Sequence, residues 1–474
     1  MKNNQEIQRL IHEKMPLTIG EVLEIAESTQ TRVVDVVIEE AMIRSKMTKE
    51  EVLAKVMDEL AHNLKAIEIG LRDGYSPIMG TVGNDLTKNG EVVLFQDDFI
   101  NKALIYTLAA QVGNHVIGLN PCAGTGDSCP YTGFVRAMQV CGYDENQVAE
   151  MAALMLKVGS YFRVGKTTTG CNMEGFGAGA TAVAAAVVAM KNGSPKDMER
   201  AMVLAISPTI AVPCTPRVMV PGLCGTHIGG AILIGNLSAG LALHTDIEVN
   251  VPIDVMLVMA AEVHPISAKE VVPVVGEYLK PFFKTKEEVE QLITEEVKKA
   301  EKAEMIETLE KAKEKAKKMA SGTSPITNTL GQAVVGGSSQ AVGSPTNAAR
   351  VAHYLAKGKG SIKKVTIELY PELFARRGIN IPGIIMGSVF GSPTSDYEMY
   401  KEGIDKMKEL GIDVNVVMGE DYGIQKITIE TENDTVMIDT LNRGGGRIVI
   451  RDAYPSKEEA IKWAKQLGIA VVDQ

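Results

Sequence analysis

The sequence predicts a multidomain protein of the α and α/β classes, with a mostly α-helical domain followed by a smaller α/β domain. Two patterns support this prediction. Apolar segments with helical spacing dominate the chain up to residue 268, and strand-like alternation begins only after residue 360. We therefore expect an all-α domain over residues 1–284, a charged helical connector over 285–320 and an α/β domain over 321–474.

The N-terminal region carries the start signals of helices. Capping boxes stand at Thr18–Glu21 and Thr48–Glu51, where each threonine can cap an amide while the glutamate reaches back. Helical spacing of apolar residues follows the second box, at Leu53, Val56, Leu60, Leu64 and Ile67. These signals predict helices through the first 70 residues.

The middle of the chain contains a long run of small apolar residues, Phe176 to Met190, broken only by Thr181. A helix that is apolar all round is buried, so we expect this one at the centre of the all-α domain. The run is too short to span a membrane. Ser194 and Pro195 then predict the N-cap and first position of the next helix.

Residues 285–320 are rich in Lys and Glu at i, i+4 spacing and begin with a capping box at Thr285–Glu288. This composition predicts a solvated helical connector, and a partner-binding helix is the alternative. The α/β domain that follows has its strands predicted at 363–370, 414–419, 425–431, 435–442 and 447–453. Its helices are predicted at Tyr397–Leu410 and Ser456–Leu467.

Composition narrows the class of protein. The chain has 474 residues, a net charge of −10 and only 5% aromatic residues. An acidic balance argues against nucleic acid or an anionic membrane as the main partner. The N-terminus carries charges throughout and lacks the apolar segment of a secretory signal, so we expect a cytoplasmic protein. Its six cysteines should then be reduced, catalytic or metal-binding rather than paired in disulfides.

Three cysteines stand where they could converge. Cys171 precedes the small-residue helix, and Cys214 and Cys224 lie in a proline-rich loop over residues 211–230. The spacing lacks the paired knuckles of structural zinc sites. Three thiolates could hold an iron–sulfur cluster with one iron open as a Lewis acid. Unlinked core cysteines are the alternative.

The motifs around these cysteines resemble the iron–sulfur-dependent L-serine dehydratase (L-serine ammonia-lyase) family. Gly170–Gly175 resembles the family's Gly-Cys, acidic residue and small-residue helix, and Cys214 and Cys224 follow at the family's intervals. Asn120–Asp127 resembles its Ala-Pro-Thr-x-Gly-Ala-Ala-Gly loop. The resemblance of the catalytic region spans residues 18 to 250.

The C-terminal part resembles the β domain of the same family. Gly343–Arg350 stands at the family's Gly-Pro-Ser-Ser-Ser-His-Thr segment, Val365–Tyr370 at a strand and Leu441–Arg447 at a Gly-rich turn. The order, α region before β domain, resembles a rarer single-chain form. Pro345 stands where the family has the histidine of its Ser-Ser-His triplet, and the chain lacks the C-terminal cysteine of some relatives. These departures leave the substrate and the base open.

The resemblance implies a [4Fe-4S] cluster on Cys171, Cys214 and Cys224, and β-elimination of L-serine to pyruvate and ammonia. The same chemistry on L-threonine, L-cysteine or another β-substituted acid is an alternative, as is a non-catalytic iron–sulfur sensor. We expect no pyridoxal phosphate, because Gly444–Gly446 lies between strands as a tight turn and no Schiff-base lysine is signalled. The expected partner is a small amino acid, bound by a homodimer.

The resemblance and the positions near the cysteines give candidate site residues. Lys166 and His227 are the candidate catalytic residues, with a solvated turn and a structural histidine as the alternatives. The candidate substrate-binding residues are Thr167, Thr168, Ser344, Thr346, Asn347, Asn120, Cys122 and Gly124. Ser344, Thr346 and Asn347 would bind the substrate carboxylate at a helix start, where helix capping alone also explains these residue types. Cys122 is either a neighbour of the cluster or a fourth ligand, which would favour sensing.

Overall fold

The computed structural model describes residues 2–120, 128–163, 176–211, 223–282, 287–323, 325, 339–443 and 446–472. The chain divides into two compact units, Met1–Lys315 and Ala316–Gln474. The first unit is helical throughout its described elements, and the second contains a five-stranded sheet with helices. This confirms the predicted fold class, and the division falls inside the segment predicted as a charged connector.

The first unit is built from fourteen described α-helices. Their bounds are α1 Lys2–Lys14, α2 Ile19–Thr29, α3 Val33–Ser45, α4 Lys49–Arg72, α5 Val82–Asp85, α6 Asp98–Ile117, α7 Ser128–Val140, α8 Glu145–Arg163, α9 Gly179–Met190, α10 Pro195–Ile206, α11 Ile228–His244, α12 Ile253–Leu279, α13 Glu287–Glu290 and α14 Glu295–Ser321. The capping boxes predicted at Thr18 and Thr48 are both formed, and Ser194 caps α10. Local start signals therefore placed these helices correctly.

Glycines let the core helices of the first unit approach closely. A Cβ at Gly113 of α6 would lie 2.1 Å from the carbonyl oxygen of Ala66 in α4. At Gly133 of α7 it would lie 2.2 Å from Thr107 Oγ1 of α6, and at Gly235 of α11 it would lie 2.6 Å from Val183 Cγ1 of α9. These contacts explain how a chain poor in aromatic residues fills its core, because backbones replace side-chain bulk.

The small-residue helix α9 lies at the centre of the first unit, as its composition predicts. Its residues from Gly179 to Val188 are buried, and it packs against α7, α8, α10 and α11. One helix in the described part of the chain, Cys224–His244, is long and apolar enough to cross a membrane by length and composition. It packs against α6, α7, α9 and α10, which is the arrangement of a core helix.

The charged segment forms the long helix α14, in which no residue is buried. It contacts the end of α12 through polar groups: Lys315 Nζ lies 2.6 Å from Tyr278 Oη, and Lys280 Nζ lies 3.3 Å from Glu304 Oε1. The helix is solvated along its length, as predicted from its composition. Exposed contacts of this kind contribute little to stability.

The second unit is a mixed sheet with helices. Its elements are α15 Ser339–Ala356, β1 Ile362–Leu369, α16 Pro371–Ala375, α17 Arg377–Phe390, α18 Tyr397–Glu409, β2 Asp413–Met418, β3 Ile424–Thr431, β4 Thr435–Asn442, β5 Ile448–Tyr454 and α19 Lys457–Gln466. The strand order is β2-β1-β3-β4-β5, with β1 and β2 parallel and the other neighbours antiparallel. Alternate residues such as Val365, Ile367 and Ile427 are fully buried on one face. The five predicted strands are all formed.

Helix α17, like the short helix α16, was not predicted from the sequence. It contains Pro382 and several glycines, which are poor helix formers. A Cβ at Gly387 would lie 2.6 Å from the carbonyl oxygen of Thr346 in α15. Close packing on α15 therefore stabilises this helix in spite of its low intrinsic propensity.

Two glycines on α11 give a matched test of this packing. Gly235→Ala should destabilise the first unit by about 1–3 kcal/mol, because its Cβ would overlap Val183 and the backbone of α9. Gly240→Ala should stabilise it by about 0.5–1 kcal/mol, because a Cβ there meets nothing within 4 Å and alanine is the better helix former. Denaturant unfolding followed by far-ultraviolet circular dichroism measures both. Equal effects of the two substitutions would contradict the close α9–α11 contact.

His353 should make the second unit sensitive to acid. Its Nδ1 donates to the Ser388 carbonyl oxygen at 3.0 Å, and burial lowers the pKa of the imidazole below its usual value. The unfolded chain then takes up a proton more readily than the folded one, so stability is lost as the pH falls below about 6.5. Trp463, the chain's single tryptophan, lies 5.1 Å from the neighbouring Tyr354 ring and reports unfolding of this unit by fluorescence. Between pH 7 and pH 5 the loss should be smaller in His353→Gln, and an identical loss would exclude His353 as its source.

Candidate functional site

The first turns of three helices meet at one end of the helical unit. Helix α7 begins at Ser128, α9 begins at Gly179 after a π-turn at 176–178, and α11 follows the π-turn Leu223–His227. A Cβ at Gly179 would lie 2.9 Å from Pro130 of α7 and 3.2 Å from the Cβ of Ala231 in α11. The absence of that Cβ allows the three helix starts to be in contact.

Aromatic stacking joins two of these helix starts. The Phe176 and His227 rings are nearly parallel, at 7°, with centroids 5.4 Å apart. Gly230, one turn into α11, also lies beside the Phe176 ring. Single π-turns of this kind occur often at functional sites, because they re-aim side chains at the start of a helix.

The environment at the helix starts favours negative charge. The helix dipole places partial positive charge at the start of each helix. Three such ends together suit thiolates and carboxylates. The predicted residues Cys122, Cys171 and Cys214 lie in the segments that immediately precede α7, α9 and α11 along the chain.

Cys224 is the predicted cluster ligand that the structure describes. Its side chain lies in the π-turn before α11 and is 1% exposed. The predicted residues outside the described ranges are Cys171, Cys214, Lys166, Thr167, Thr168, Cys122 and Gly124. Within the described residues no group of three or more His, Cys, Asp or Glu side chains could hold a metal ion. A buried thiol in the turn that leads into one of the three converging helix starts is compatible with a thiolate-ligated group, and the three-thiol site itself stays a prediction.

His227 follows Cys224 in the same π-turn and is partly exposed. Its Nδ1 atom is buried and has no hydrogen-bond partner among the described residues. Burial lowers the pKa of the imidazole below its ordinary value. The side chain is therefore neutral at pH 7, which is the form that can accept a proton. These features are compatible with the predicted catalytic role, which stays a prediction.

A chain of buried polar side chains, which sequence reasoning missed, lies beside these helix starts. Cys129 Sγ of α7 donates to Gln111 Oε1 at 2.8 Å, and Gln111 Nε2 donates to His115 Nε2 at 3.1 Å. Because His115 Nε2 accepts this hydrogen bond, His115 Nδ1 is the protonated nitrogen and donates to Ser76 Oγ at 2.6 Å. No sequence motif indicates this hydrogen-bonded chain, because its members lie on three separate segments. The hydrogen bond to Gln111 gives the buried Cys129 thiol a polar partner.

The turn that holds Ser76 reaches the Cys224 turn. Ser76 Oγ accepts the backbone N–H groups of Ile78 and Met79 at 3.1 and 2.9 Å. The side chain of Met79 lies 3.8 Å from the position of a Cβ on Gly225. The buried polar chain thus links α6 and α7 to a turn that covers the Cys224 segment.

Asn120 is fixed through its backbone at the edge of the α7 start. Its N–H donates to Asn63 Oδ1 at 2.8 Å, and its carbonyl oxygen accepts from Asn63 Nδ2 at 3.0 Å and from Ser128 Oγ. Asn63 and Ser128 are fully buried, whereas Asn120 itself is exposed. The structure therefore anchors the beginning of the segment 121–127 and leaves the predicted substrate contact of Asn120 untested.

The predicted helix start at Ser344 is wrong. Helix α15 begins at Ser339, and Pro345 lies inside it. Proline normally breaks a helix interior. Here packing outweighs that preference, because Val342 and Thr346 both contact the backbone of α17 at Gly383.

Within the second unit, two of the three predicted residues on α15 are fully buried, and two of the three make hydrogen bonds to other elements of the unit. Ser344 is fully buried and its Oγ accepts from Gln425 Nε2 at 3.1 Å and from the Arg443 N–H at 3.4 Å. Thr346 is also fully buried, and Asn347 Nδ2 donates to the Gly446 carbonyl oxygen at 2.9 Å. Gly446 has φ +77°, which supports the predicted turn at that position. A role of these residues in substrate binding stays a prediction.

Comparison with known proteins gives one informative similarity. The chain is 24% identical over 215 residues to a Bacillus subtilis (strain 168) protein named probable L-serine dehydratase, alpha chain. The match covers 42% of this chain and 69% of that protein. No protein-family model matches the chain. The similarity supports, at the level of the family, lyase chemistry of the serine dehydratase type.

Ser344 provides a test of its structural surroundings. Ser344→Ala leaves the buried Gln425 Nε2 without the acceptor seen here, which should destabilise the second unit by about 1–3 kcal/mol. Denaturant unfolding followed by Trp463 fluorescence measures the change. Ser395→Ala is the control, because Ser395 is exposed in the loop before α18. Unchanged stability in Ser344→Ala would contradict the assigned hydrogen bond.

Proposed function

We propose that this protein is an L-serine ammonia-lyase of the iron–sulfur-dependent type, which converts L-serine to pyruvate and ammonia by β-elimination. The observation that carries the proposal is the position of Cys224, buried in a π-turn where the first turns of α7, α9 and α11 meet. The similarity to a probable L-serine dehydratase alpha chain supports the same chemistry.

The donor set of the proposed site is Cys171, Cys214 and Cys224. When bound there, a [4Fe-4S] cluster with one iron not held by cysteine supplies a Lewis acid that polarises the substrate hydroxyl. The described surroundings fit a group of this charge, because helix starts stabilise thiolates and lower the pKa of cysteine. Pyridoxal phosphate has no part in the proposal.

The protein's own residues orient the substrate and move its protons. The N–H groups at the helix starts favour the substrate carboxylate. Lys166, Thr167, Thr168, Asn120, Cys122 and Gly124 belong to the segments that precede these helices and supply further polar contacts. His227 is the proposed base for the α-proton, because its imidazole is neutral and Nδ1 has no acceptor or donor among the described residues. Lys166 is the second candidate for this step.

Elimination at this site breaks the Cα–H and Cβ–O bonds and forms a Cα=Cβ bond. The base takes the proton and gives it to the departing hydroxide, which leaves as water. The resulting enamine tautomerises and reacts with water to give pyruvate and ammonium. Holding the substrate in one orientation supplies part of the rate acceleration. We further propose that the enzyme works in the cytoplasm as a homodimer on the free amino acid.

Cys224→Ser tests the proposed function directly. Replacing a cluster ligand should lower the iron content of anaerobically reconstituted protein and reduce pyruvate formation from L-serine at least ~100-fold, because metal polarisation is worth several kcal/mol of charge stabilisation. Cys141→Ser is the matched control, since Cys141 lies at the far end of α7 from the site and is partly exposed.

The control should keep both the iron and the activity. A Cys224→Ser protein with wild-type iron and turnover would overturn the proposal. So would a wild-type protein that forms pyruvate with pyridoxal phosphate and no iron.

A further inference from the structure

A cavity of about 560 Å³ opens beside the Cys224 turn. Its described walls come from the turn 74–86, from Leu94 and α6, from the π-turn 223–227 and from the first two turns of α11. Among these described residues Thr226 has the one polar side chain, and the largest apolar side chains are Ile78, Met79, Leu94, Leu104, Leu108 and Leu233. A volume of this size is typical of small-molecule pockets. It far exceeds what a serine side chain needs.

The floor of this cavity is made by glycines that packing does not require. Among the described residues, a Cβ at Gly225 would meet Met79 Cε at 3.8 Å, and a Cβ at Gly229 would meet Leu104 Cδ2 at 3.6 Å. Both are ordinary contact distances, and neither residue has the left-handed φ that favours glycine. Gly179 of α9 and Gly235 of α11 differ, because a Cβ there would collide with a neighbouring helix. Packing among the described residues therefore does not require glycine at positions 225 and 229.

The cavity adjoins the proposed reaction site. Gly225 and Thr226 line it and directly follow Cys224 in the π-turn, and His227 comes next. A ligand with its polar end at the helix starts would thus find an apolar space next to its reacting carbon. Apolar walls bind apolar groups favourably, whereas they offer no hydrogen-bond partner to a hydroxyl.

We infer that the preferred substrate is a 2-amino-3-hydroxy acid whose β-carbon carries an apolar group. This inference rests on the proposed elimination chemistry and moves its preferred substrate from L-serine to acids with an apolar group on the β-carbon. L-Threonine is the smallest such acid, and an acid with an aryl group on the β-carbon fills more of the cavity. L-Serine, with hydrogen at that position, leaves the cavity empty.

The chemistry of the elimination is unchanged by the larger substituent. The Cα–H bond breaks with its proton going to the base, and the Cβ–O bond breaks with the departing hydroxide taking that proton from the base to leave as water. The Cα=Cβ bond forms, the enamine takes a proton at Cβ, and water releases ammonium from the imine. The product is a 2-oxo acid that keeps the apolar group.

The test compares three substrates in the iron-loaded full-length protein. L-Serine, L-threonine and L-threo-3-phenylserine are assayed for 2-oxo acid release by the wild type and by Leu233→Trp. Leu233 is 38% exposed on α11, so a larger side chain can be accommodated while it fills the cavity. Val274→Trp is the control, because Val274 is 55% exposed on α12 and does not line this cavity.

The wild type should show a higher kcat/KM for L-threonine than for L-serine by about 10-fold, the scale of one methyl group in an apolar pocket. Leu233→Trp should remove that preference and lose turnover of phenylserine, lowering kcat/KM for L-serine by a smaller factor than for the other two acids, because L-serine has no group in the cavity. Val274→Trp should behave as the wild type. A wild-type preference for serine, or an equal loss for all three acids in Leu233→Trp, would overturn the inference.

Failure of the proposed function gives a different result. If none of the three acids yields a 2-oxo acid, the proposed elimination chemistry is wrong. Saturation-transfer NMR with phenylserine then tests separately whether the cavity binds a ligand. Binding to the wild type and to Val274→Trp but not to Leu233→Trp would support the cavity as a ligand site. No binding to the wild type overturns it. A change of oligomeric state in Leu233→Trp without a change in substrate preference would assign the surface to contact between copies instead.

Discussion

The contact among the first turns of α7, α9 and α11 is the constraint on which the candidate site depends. It exists because Gly179 has no Cβ, which would otherwise lie 2.9 Å from Pro130 and force α7 and α9 apart. The contact brings together the positive ends of three helix dipoles, each worth about 0.3–1 kcal/mol toward a nearby anion. The packing of small residues in the core therefore also produces the electrostatic character of the site.

Rigid surroundings hold this arrangement in place. Phe176 stacks on His227 and ties the α9 start to the Cys224 turn. On the other side, the buried hydrogen-bonded chain from Cys129 to Ser76 fixes the turn that carries Met79. Such a chain of satisfied polar groups specifies one conformation, because a broken member would be left buried without a partner. Site residues can then be held to within the small tolerance that elimination chemistry requires.

Much of the fold followed from local signals in the sequence. Thr18 and Thr48 marked helix starts through their own side chains, and alternation marked every strand of the sheet. Features that depend on tertiary packing did not follow: α17 forms on glycines, and α15 continues through Pro345 because its neighbours outweigh the missing hydrogen bond. For the site, Cys224 and His227 were predicted from spacing and resemblance, and their roles stay predictions. Ser76 and Gln111 were not, because hydrogen bonds between distant segments leave no periodic pattern.

If the proposed function is right, Cys171, Cys214 and Cys224 hold a cluster in which one iron has no cysteine ligand and is free to bind the substrate. Mössbauer spectroscopy of protein reconstituted anaerobically with ⁵⁷Fe tests it most directly. We expect a spectrum in which one iron is distinct from the others, and in which the parameters of that iron alone change when the amino acid substrate is added. A cluster whose irons are all equivalent and unmoved by substrate, or a protein that binds no cluster, would contradict it.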